Sequence, residues 1–485
     1  MQPAASLTLT LTLTLKSMTA ASTAAVTSVV SDAEAAATAA ATAAVSEAYS
    51  YIEAVHLAPC RRAAVTLMCP GTRGIANDLN AVVRALWLSV LERRQLVVTG
   101  DWHWLNGETP MSDVVIPSRC QRRLSEASPA DQEQLSCRNG TRGFHAVRAQ
   151  PPHDCLAATR ARFLFSGDVR CATHGTRGDA LSERDVPAQF RRHGVLWWMQ
   201  VLSTYLLRIR GHAAARLQRR AGHKVVAMPA LVPRGQAEPL RAAAGPSCRV
   251  LDHDAALRRA TVDGAGWRPS TEVQLALHIR WGDACGGKRP DYRRRCYELI
   301  EQTPGRKKAR SRGLPSLVPV SARLAQRGLW AASTHLATDS EHIANQALRG
   351  VANETLGQVS FLNVSRTKYE PPRPNLNVSL NYDYASHLWL ENFAGSQPSV
   401  RDAIFDETML DLLLLARAPV VAGQMLGNMP RLALQLRVSW PPSNDSLAQY
   451  PQACSYVSLD GRGWCPATIC RYARATSSNG TVLRM

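Results

Sequence analysis

Polar side chains follow three apolar stretches in the second half of this 485-residue chain. When strands and helices alternate, the carboxyl ends of the parallel strands meet at one edge of the sheet, and ligands bind in the crevice there. The residues concerned are His278, Arg280 and Asp283 after the first stretch, Thr338 and Asp339 after the second, and Gly427, Asn428 and Arg431 after the third. We therefore predict one binding crevice at these strand ends.

The residue types at the strand ends suit a nucleoside diphosphate. The planar guanidinium of Arg280 can hold two phosphate oxygens at once. Backbone N–H groups at a helix start, where Gly427 and Asn428 lie, add an anion site. The carboxylate of Asp339 can accept hydrogen bonds from a ribose or from a guanine edge. For Arg280, the alternative interpretation is a buried arginine paired with a carboxylate.

The elements that must position these residues begin with a β-α-β unit. RAAVTLM and QLVVTG are predicted strands, and IANDLNAVVRALWLSVLERR lies between them with its apolar residues at helical spacing. Such a unit predicts a parallel sheet. Residues 194–217 form an aromatic stretch that we predict to be helical.

The second half of the chain alternates more clearly. Predicted strands lie in EVQLALHIRWGD, GLWAASTHLATDS and PVVAGQ, and SVRDAIFDETMLDLLLLARA is a predicted long helix. NMPRLALQLRV is a second predicted helix, with Asn428 as its N-cap and Pro430 in its first turn. This alternation predicts a Rossmann-like domain.

Composition changes divide the chain into four predicted segments. Residues 1–55 are low-complexity and are predicted to be disordered or to form a targeting segment or stalk. An N-terminal α/β lobe covers 56–250, and a C-terminal Rossmann-like, nucleotide-sugar-binding lobe covers 265–440. Residues 441–485 form a cysteine-containing extension.

Charge and composition narrow the class of protein. Hydrophobic residues make up 45% and charged residues 20%, which excludes a fully disordered chain, a collagen and a coiled coil. The net charge is +19, but arginine is spread along the chain, and its densest cluster at 289–312 is typical of a solvated loop. We therefore predict no nucleic-acid partner. No apolar run of about 18 residues occurs, so a membrane anchor is not evident.

Cysteines and sequons indicate the compartment. The chain has 12 cysteines and none in C-x2-C spacing, which favours disulfides or buried thiols over a zinc site. N-x-[ST] sequons are more frequent than chance predicts, at Asn139, Asn353, Asn363, Asn377, Asn444 and Asn479. They predict a glycoprotein with disulfides in the Golgi or secretory-pathway lumen, although no N-terminal signal is evident.

Several motifs together resemble one enzyme family. HIRWGD resembles the H-x-R-R-x-D motif of α-1,6-fucosyltransferases and their relatives, the nodulation fucosyltransferases and protein O-fucosyltransferases. LWWMQVLSTYLLR is similar to the paired-tryptophan helix of the α-1,6 enzymes, and GTRGIANDLNAVVRAL to their glycine-rich opening. LATDS and GQMLGNMPRLALQL resemble their second and third motifs, in the same order.

The resemblance implies a GT-B-like fold of two Rossmann-like lobes, with the donor site in the C-terminal lobe. It implies transfer of fucose from GDP-fucose to a glycan or glycoprotein acceptor, with inversion and without a metal cofactor. Matched to the motifs, Arg280 would hold the β-phosphate, with His278 and Asp283 supporting the donor site. Asp339 would face the guanine, and Gly427 and Asn428 would approach the pyrophosphate.

The chain also departs from the family pattern. Trp281 replaces the second arginine of the motif, Ala284 replaces a lysine, and Lys288 stands where the α-1,6 enzymes carry a glutamate base. Because inverting transfer needs a group to take the acceptor proton, Asp283 and Asp291 are the candidate bases. Cys285 and Cys296 could close this loop as a disulfide.

Two alternatives stay open at the level of sequence. Asp252 and Asp254 form a D-x-D pair, which in metal-dependent nucleotide-sugar transferases holds a divalent cation. A catalytically inactive relative that binds glycan or nucleic acid is the other alternative, favoured by Lys288 and the basic segment. Hydrolase and P-loop signatures are absent from the sequence.

Overall fold

A computed structural model of the chain describes residues 40, 43–60, 65–68, 74–98, 102, 104–105, 111–125, 169–172, 181, 183–207, 209, 213, 215–217, 225–227, 275–280, 316–326, 330–331, 333–364, 366, 398–418, 420–425, 427–436 and 456–459. The chain divides into two compact units, Met1–Ser50 and Tyr51–Met485. In the first unit residues 43–50 are helical, so this part of the predicted 1–55 segment has regular structure. All the elements named below belong to the second unit.

The first sheet has three parallel strands, β1 (Val65–Met68), β2 (Gln95–Val98) and β3 (Val169–Ala172), in the order β2-β1-β3. Helix α1 (Ile75–Leu91) connects β1 to β2 and buries the apolar residues that its spacing predicts, namely Leu79, Val82, Val83, Leu86 and Val90. The predicted β-α-β unit is therefore confirmed.

Two further helices accompany this sheet, α2 (Arg119–Ser125) and α3 (Gly194–Leu206), with short 3-10 turns at 111–113, 183–185 and 188–193. Helix α3 is buried along nearly all of its length, and the Phe190 ring stacks on Trp198 with centroids 5.4 Å apart. The helix predicted over 194–217 ends early, because Leu207 is extended and forms a β-bridge with Val115.

The second sheet has six strands in the order β4-β7-β6-β5-β8-β9. They are β4 (Val225–Ala227), β5 (Leu275–Ile279), β6 (Ser333–Thr338), β7 (Gln358–Leu362), β8 (Val420–Gly423) and β9 (Tyr456–Ser458). Strand β4 is antiparallel to β7, and the other pairs are parallel. The predicted strands β5, β6 and β8 and the parallel sheet are confirmed. Strand β4 lies within the predicted segment 56–250 and β9 within 441–485, yet both pair with this sheet.

Helices cover both faces of the second sheet. They are α4 (Leu317–Gln326), α5 (Glu341–Leu348), α6 (Asn353–Leu356), α7 (Pro398–Arg417) and α8 (Asn428–Gln435). Leu275, Leu277 and Ile279 share an apolar core with α4 and α5, while α7 packs against β5 and β6, and α8 against β8. Because side chains alternate along a strand, His278 lies on the face opposite that apolar core. Among the described helices, none is long and apolar enough to cross a membrane.

A disulfide ties the chain before β1 to the chain after β2. Cys60 and Cys120 are bonded, with Cα atoms 5.0 Å apart and a sequence separation of 60. The Gln95 side chain reinforces this link, since it accepts from the Cys120 N–H at 2.9 Å and donates to the Ala58 carbonyl. The sequence predicts disulfides but not this pair, and Cys285 and Cys296 lie outside the described residues.

Replacing both half-cystines, as Cys60→Ser with Cys120→Ser, should lower the free energy of unfolding by about 4 kcal/mol. The reason is that closing a loop of this length removes chain entropy from the unfolded state. Urea unfolding with and without reductant measures the effect. Reductant should lower the midpoint of the wild type more than that of the double variant, whereas equal midpoints for all four samples would contradict a structural disulfide.

Candidate functional site

The three strand ends predicted from sequence meet at one edge of the second sheet. In the strand register, His278 on β5 pairs with Ala337 on β6 and with Gly423 on β8, and Ile279 pairs with Thr338. The polar residues that follow these strands therefore begin at the same height along the sheet. Within the described residues, these are His278, Arg280, Thr338, Asp339 and the segments 423–425 and 427–431.

The strand order reverses between β5 and β8. From β5 the chain proceeds outward through β6 and β7, and it then returns to the other side of β5 with β8 and β9. At such a reversal the connecting segments leave in opposite directions and open a crevice at the carboxyl ends of the strands. His278 and Gly423 are the paired residues that flank this crevice.

Two glycines let the turn after β8 approach His278 closely. A Cβ added to Gly423 would lie 3.1 Å from Pro430 Cβ and 3.4 Å from His278 Cβ. A Cβ added to Gly427 would lie 3.1 Å from the Gln424 carbonyl oxygen and 3.9 Å from His278 Cε1. The start of α8 therefore packs against the His278 side chain.

His278 is a neutral imidazole inside this contact. Burial, and secondarily the positive charge of Arg280, lower its pKa from 6.5 to about 3. Its Nδ1 is buried without a hydrogen-bond partner among the described residues. At neutral pH the ring therefore supplies shape and a polar nitrogen, and the positive charge at this strand end belongs to Arg280.

Gln424 connects Arg280 to the turn that enters α8. The Arg280 N–H donates to Gln424 Oε1 at 3.0 Å, and the Gly427 N–H donates to the Gln424 carbonyl at 2.8 Å. Gln424 is buried, whereas Arg280 is exposed. Sequence reasoning missed Gln424, although a polar residue directly after an apolar strand was the available signal.

The N-cap of α8 is Gly427, so the assignment of Asn428 as N-cap is wrong. The Asn428 side chain is occupied elsewhere, because its Nδ2 donates to Asn77 Oδ1 on α1 at 3.1 Å. Gly427 has no side chain that could cap the first turn of α8, and uncapped backbone N–H groups at a helix start can bind an anion. Pro430 lies in that first turn, as predicted, and Arg431 is half-buried beside it.

The end of β6 forms a hydrogen-bonded turn. Thr338 is buried, and its hydroxyl accepts from the Ser340 N–H at 3.2 Å. Ser340 caps α5 by accepting from the Ile343 N–H. Asp339, which lies between Thr338 and Ser340, is half-buried. The buried Arg366 Nε donates to the Thr338 carbonyl at 2.9 Å. Thr338 therefore holds the turn that carries Asp339.

The other predicted site residues cannot be located in the structure. Asp283 and Asp291, the candidate bases, lie outside the described residues, as do Trp281, Ala284 and Lys288. Asp252 and Asp254 lie outside them too. Across the described ranges, no three His, Cys, Asp or Glu side chains come together as a metal site.

A second polar group on the same face is structural. His335 Nε2 lies 3.0 Å from Asp411 Oδ1, and its Nδ1 lies 3.4 Å from the Ser360 hydroxyl. Burial raises the pKa of Asp411, and its hydrogen bond with His335 opposes that shift. His335 pairs with Ala276 within the sheet, below the crevice. The three residues resemble a nucleophilic triad in type only, and they tie β6 and β7 to α7.

Comparison with solved structures found several proteins of low similarity to this chain. The chain is similar to the NodZ α-1,6-fucosyltransferase co-crystallised with GDP, with 12% identity, a TM-score of 0.32 and 77% of this chain aligned to 91% of that one. It is similar to POFUT1 in complex with GDP-fucose, with 9% identity, a TM-score of 0.33 and coverage of 81% and 98%. It is also similar to Arabidopsis thaliana FUT1 in complex with GDP, with 8% identity, a TM-score of 0.32 and 84% of this chain aligned to 77% of that one. These are fucosyltransferases, the group that the sequence motifs resemble. No family model and no curated protein sequence matches the chain.

The buried histidines make the folded chain sensitive to acid. The folded-state pKa values of His56, His193 and His278 are lowered to about 4, about 4 and about 3, mainly by burial. Below about pH 6.5 the unfolded chain binds protons that these residues do not bind when folded, so stability falls as pH falls toward those values. Each histidine contributes a slope of about 1.4 kcal/mol per pH unit.

His278→Gln should reduce the slope of the free energy of unfolding against pH by the equivalent of about one proton, because it removes one of these three histidines. Urea unfolding of wild type and variant at several values between about pH 6 and pH 4.5 measures the slope. The same slope in both proteins would contradict a buried neutral His278.

Proposed function

We propose that this chain is a fucosyltransferase-like glycosyltransferase that uses GDP-fucose as its donor. The observation that carries the proposal is the seating of the start of α8 on His278, at the point where the strand order reverses. This arrangement presents backbone N–H groups of α8 and the guanidinium of Arg280 at one crevice. A diphosphate has the charge and the acceptor oxygens that suit both groups.

In the proposed donor complex, the diphosphate lies between Arg280 and the first turn of α8. Gln424 supports this role through two hydrogen bonds. Its side chain accepts from the Arg280 N–H, and its backbone carbonyl accepts from the Gly427 N–H. Asp339 follows the neighbouring strand, where its carboxylate can accept hydrogen bonds from a guanine edge or ribose. Arg431 adds a second positive charge on α8.

The proposed reaction is a single displacement. The acceptor hydroxyl oxygen attacks the anomeric carbon of fucose from the face opposite GDP, and the bond between that carbon and the β-phosphate oxygen breaks. The electron pair of that bond leaves with GDP, whose added negative charge is stabilised by Arg280 and the N–H groups of α8. The acceptor proton passes to a carboxylate, for which Asp283 and Asp291 are proposed.

The remaining features are proposed on the basis of the sequence. The acceptor is a glycan or a glycoprotein hydroxyl, the reaction needs no metal cofactor, and no nucleic acid is bound. Cationic side chains and helix N–H groups can balance a departing diphosphate, which is the work that a metal does in D-x-D enzymes. We place the protein in the Golgi or secretory-pathway lumen, and the Cys60–Cys120 disulfide suits that compartment.

GDP should stabilise the full chain against heat, by about 2.7 kcal/mol when GDP is present at about 100 times its Kd. UDP should stabilise it less, and EDTA should leave the GDP effect unchanged. Arg280→Ala should weaken GDP binding by about tenfold or more, because a charge-assisted contact to phosphate is lost. Arg280→Lys should fall between, since lysine keeps the charge and loses the two-pronged geometry.

Arg349→Ala is the matched control, because Arg349 is an exposed arginine at the end of α5, outside the crevice. A Kd for GDP that rises equally in both alanine variants would indicate a general charge effect. Stabilisation by UDP that EDTA abolishes would favour the metal-dependent alternative with Asp252 and Asp254. No stabilisation by any nucleotide would overturn the donor site, and GDP binding without fucose transfer would favour the inactive relative.

The proposed compartment predicts glycosylation at Asn363 and none at Asn353. Asn363 is exposed directly after β7, whereas Asn353 is buried at the start of α6. The sequon hydroxyl of Thr355 is also buried and accepts from the Ser321 hydroxyl at 2.9 Å. Glycopeptide mass spectrometry of the chain from a secretory eukaryotic host should find a glycan at Asn363, which Asn363→Gln removes. A glycan at Asn353 in folded protein, or an unmodified chain, would contradict the placement.

A further inference from the structure

Helix α8 is held at both ends by helices of the other sheet. It follows β8 of the six-stranded sheet, yet it packs against α1 and α3, which accompany the three-stranded sheet. Polar side chains mark both ends of this packing. Asn77 and Asn80 on α1 meet the first residue of α8, and Gln200 and Ser203 on α3 meet its last two.

Asn80 is an unusual residue for its position. It is 3% exposed on the buried side of α1, where the neighbouring buried residues are mostly apolar. Its Nδ2 donates to the Ala76 carbonyl at 2.8 Å within α1 and to the Asn428 carbonyl at 3.3 Å on α8. Its Oδ1 is buried without a hydrogen-bond partner among the described residues, which is costly. The amide donor is therefore the part of this side chain that the fold uses.

The opposite end of α8 is fixed in the same way. The Gln200 Nε2 donates to the Leu434 carbonyl at 2.9 Å, and both groups are buried. Ser203 Oγ lies 3.4 Å from Gln435 Oε1. These contacts hold the C-terminal turn of α8, and the contacts of Asn77 and Asn80 with Asn428 hold its first turn.

We propose that Asn80 is a positioning residue for the donor site. By holding the Asn428 carbonyl from α1, it sets the place of the α8 N–H groups that receive the diphosphate. Asn80 makes this contact to the protein and not to the ligand. The inference rests on the proposed function, because it assigns the phosphate-binding end of that same site.

The proposal separates the two parts of the donor. Asn80 acts on α8, where the diphosphate binds, and the guanosine part is proposed to lie toward Asp339 at the end of β6. Loss of the Asn80 contact should therefore weaken binding of GDP and leave binding of guanosine unchanged. A residue that only stabilises the fold would affect both ligands alike.

Asn80→Ser is the sharpest variant. A serine here can still bond to the carbonyl four residues earlier, as Ser89 on the same helix does with Ala85 at 2.7 Å. It cannot reach α8 as the longer amide does, so only the bond to Asn428 is lost. Ser89→Ala is the matched control, since it removes one buried intrahelical bond from α1 without touching α8.

The measurement is calorimetric titration of the full chain with GDP and, separately, with guanosine, alongside thermal melts. Asn80→Ser should raise the Kd for GDP about fivefold, the equivalent of one hydrogen bond of about 1 kcal/mol, and leave the Kd for guanosine unchanged. Ser89→Ala should change neither Kd. Asn80→Ala should repeat the GDP effect with a lower melting temperature, because it loses the intrahelical bond as well.

The outcomes are distinguishable. Unchanged GDP binding by a folded Asn80→Ser would overturn the positioning role while leaving the proposed function intact. Equal weakening of GDP and guanosine would also overturn it, in favour of a purely structural role. If both Asn80 variants fail to fold, Asn80→Thr is tested instead, because its hydroxyl can also bond to the carbonyl four residues earlier without reaching α8, and unchanged GDP binding by that variant overturns the proposal. Failure of the wild type to bind GDP would remove the proposed function and this inference together.

Discussion

The close approach of the α8 start to the end of β5 is the contact on which the rest of the site depends. The turn into α8 needs small residues, because a Cβ at Gly423 would lie 3.1 Å from Pro430 Cβ and one at Gly427 would lie 3.1 Å from the Gln424 carbonyl oxygen. The ring of His278 against which it packs is buried and neutral. A protonated imidazole would place a second positive charge beside Arg280 in a buried setting, at a high electrostatic cost. The same contact brings the start of α8 to the strand end that Arg280 follows. The proposed anion binding at this site would depend on backbone geometry and one arginine.

The two sheets are joined around this contact. Helix α8 belongs by sequence to the second sheet, but its polar bonds run to α1 and α3. Helix α7 is linked in a similar way, because Asp406 pairs with Arg216 at 2.7 Å and Phe405 packs edge-on against Trp102. Buried polar contacts of this kind fix one arrangement of helices, since a shift would leave their donors unsatisfied. The arrangement around the crevice therefore depends on both halves of the chain.

Much of this fold follows from the sequence, and the exceptions have physical causes. Strands β5 and β8 are mainly apolar and buried in the centre of the sheet, so their prediction is straightforward. Strand β6 is buried although four of its six residues are polar, and its prediction rests on the alternation of strands and helices. Strands β4 and β9 have three residues each and lie at the sheet edges, where pairing and not hydrophobicity defines them. Asn428 has the residue type of an N-cap, but its side chain bonds to Asn77, a partner 351 residues away that no local pattern reveals. Gln424, Asn80 and the Cys60–Cys120 pair were missed for the same reason, because each acts through contacts distant in sequence.

The most direct test of the central claim is a hydrogen–deuterium exchange footprint of the full chain with and without GDP. If the diphosphate binds at the reversal between β5 and β8, GDP should slow exchange in peptides covering 275–280 and 420–431. Peptides covering 65–68 and 169–172 in the first sheet should exchange at the same rate in both samples. Protection confined to the first sheet, or no protection at the ends of β5 and β8 at saturating GDP, would contradict the account.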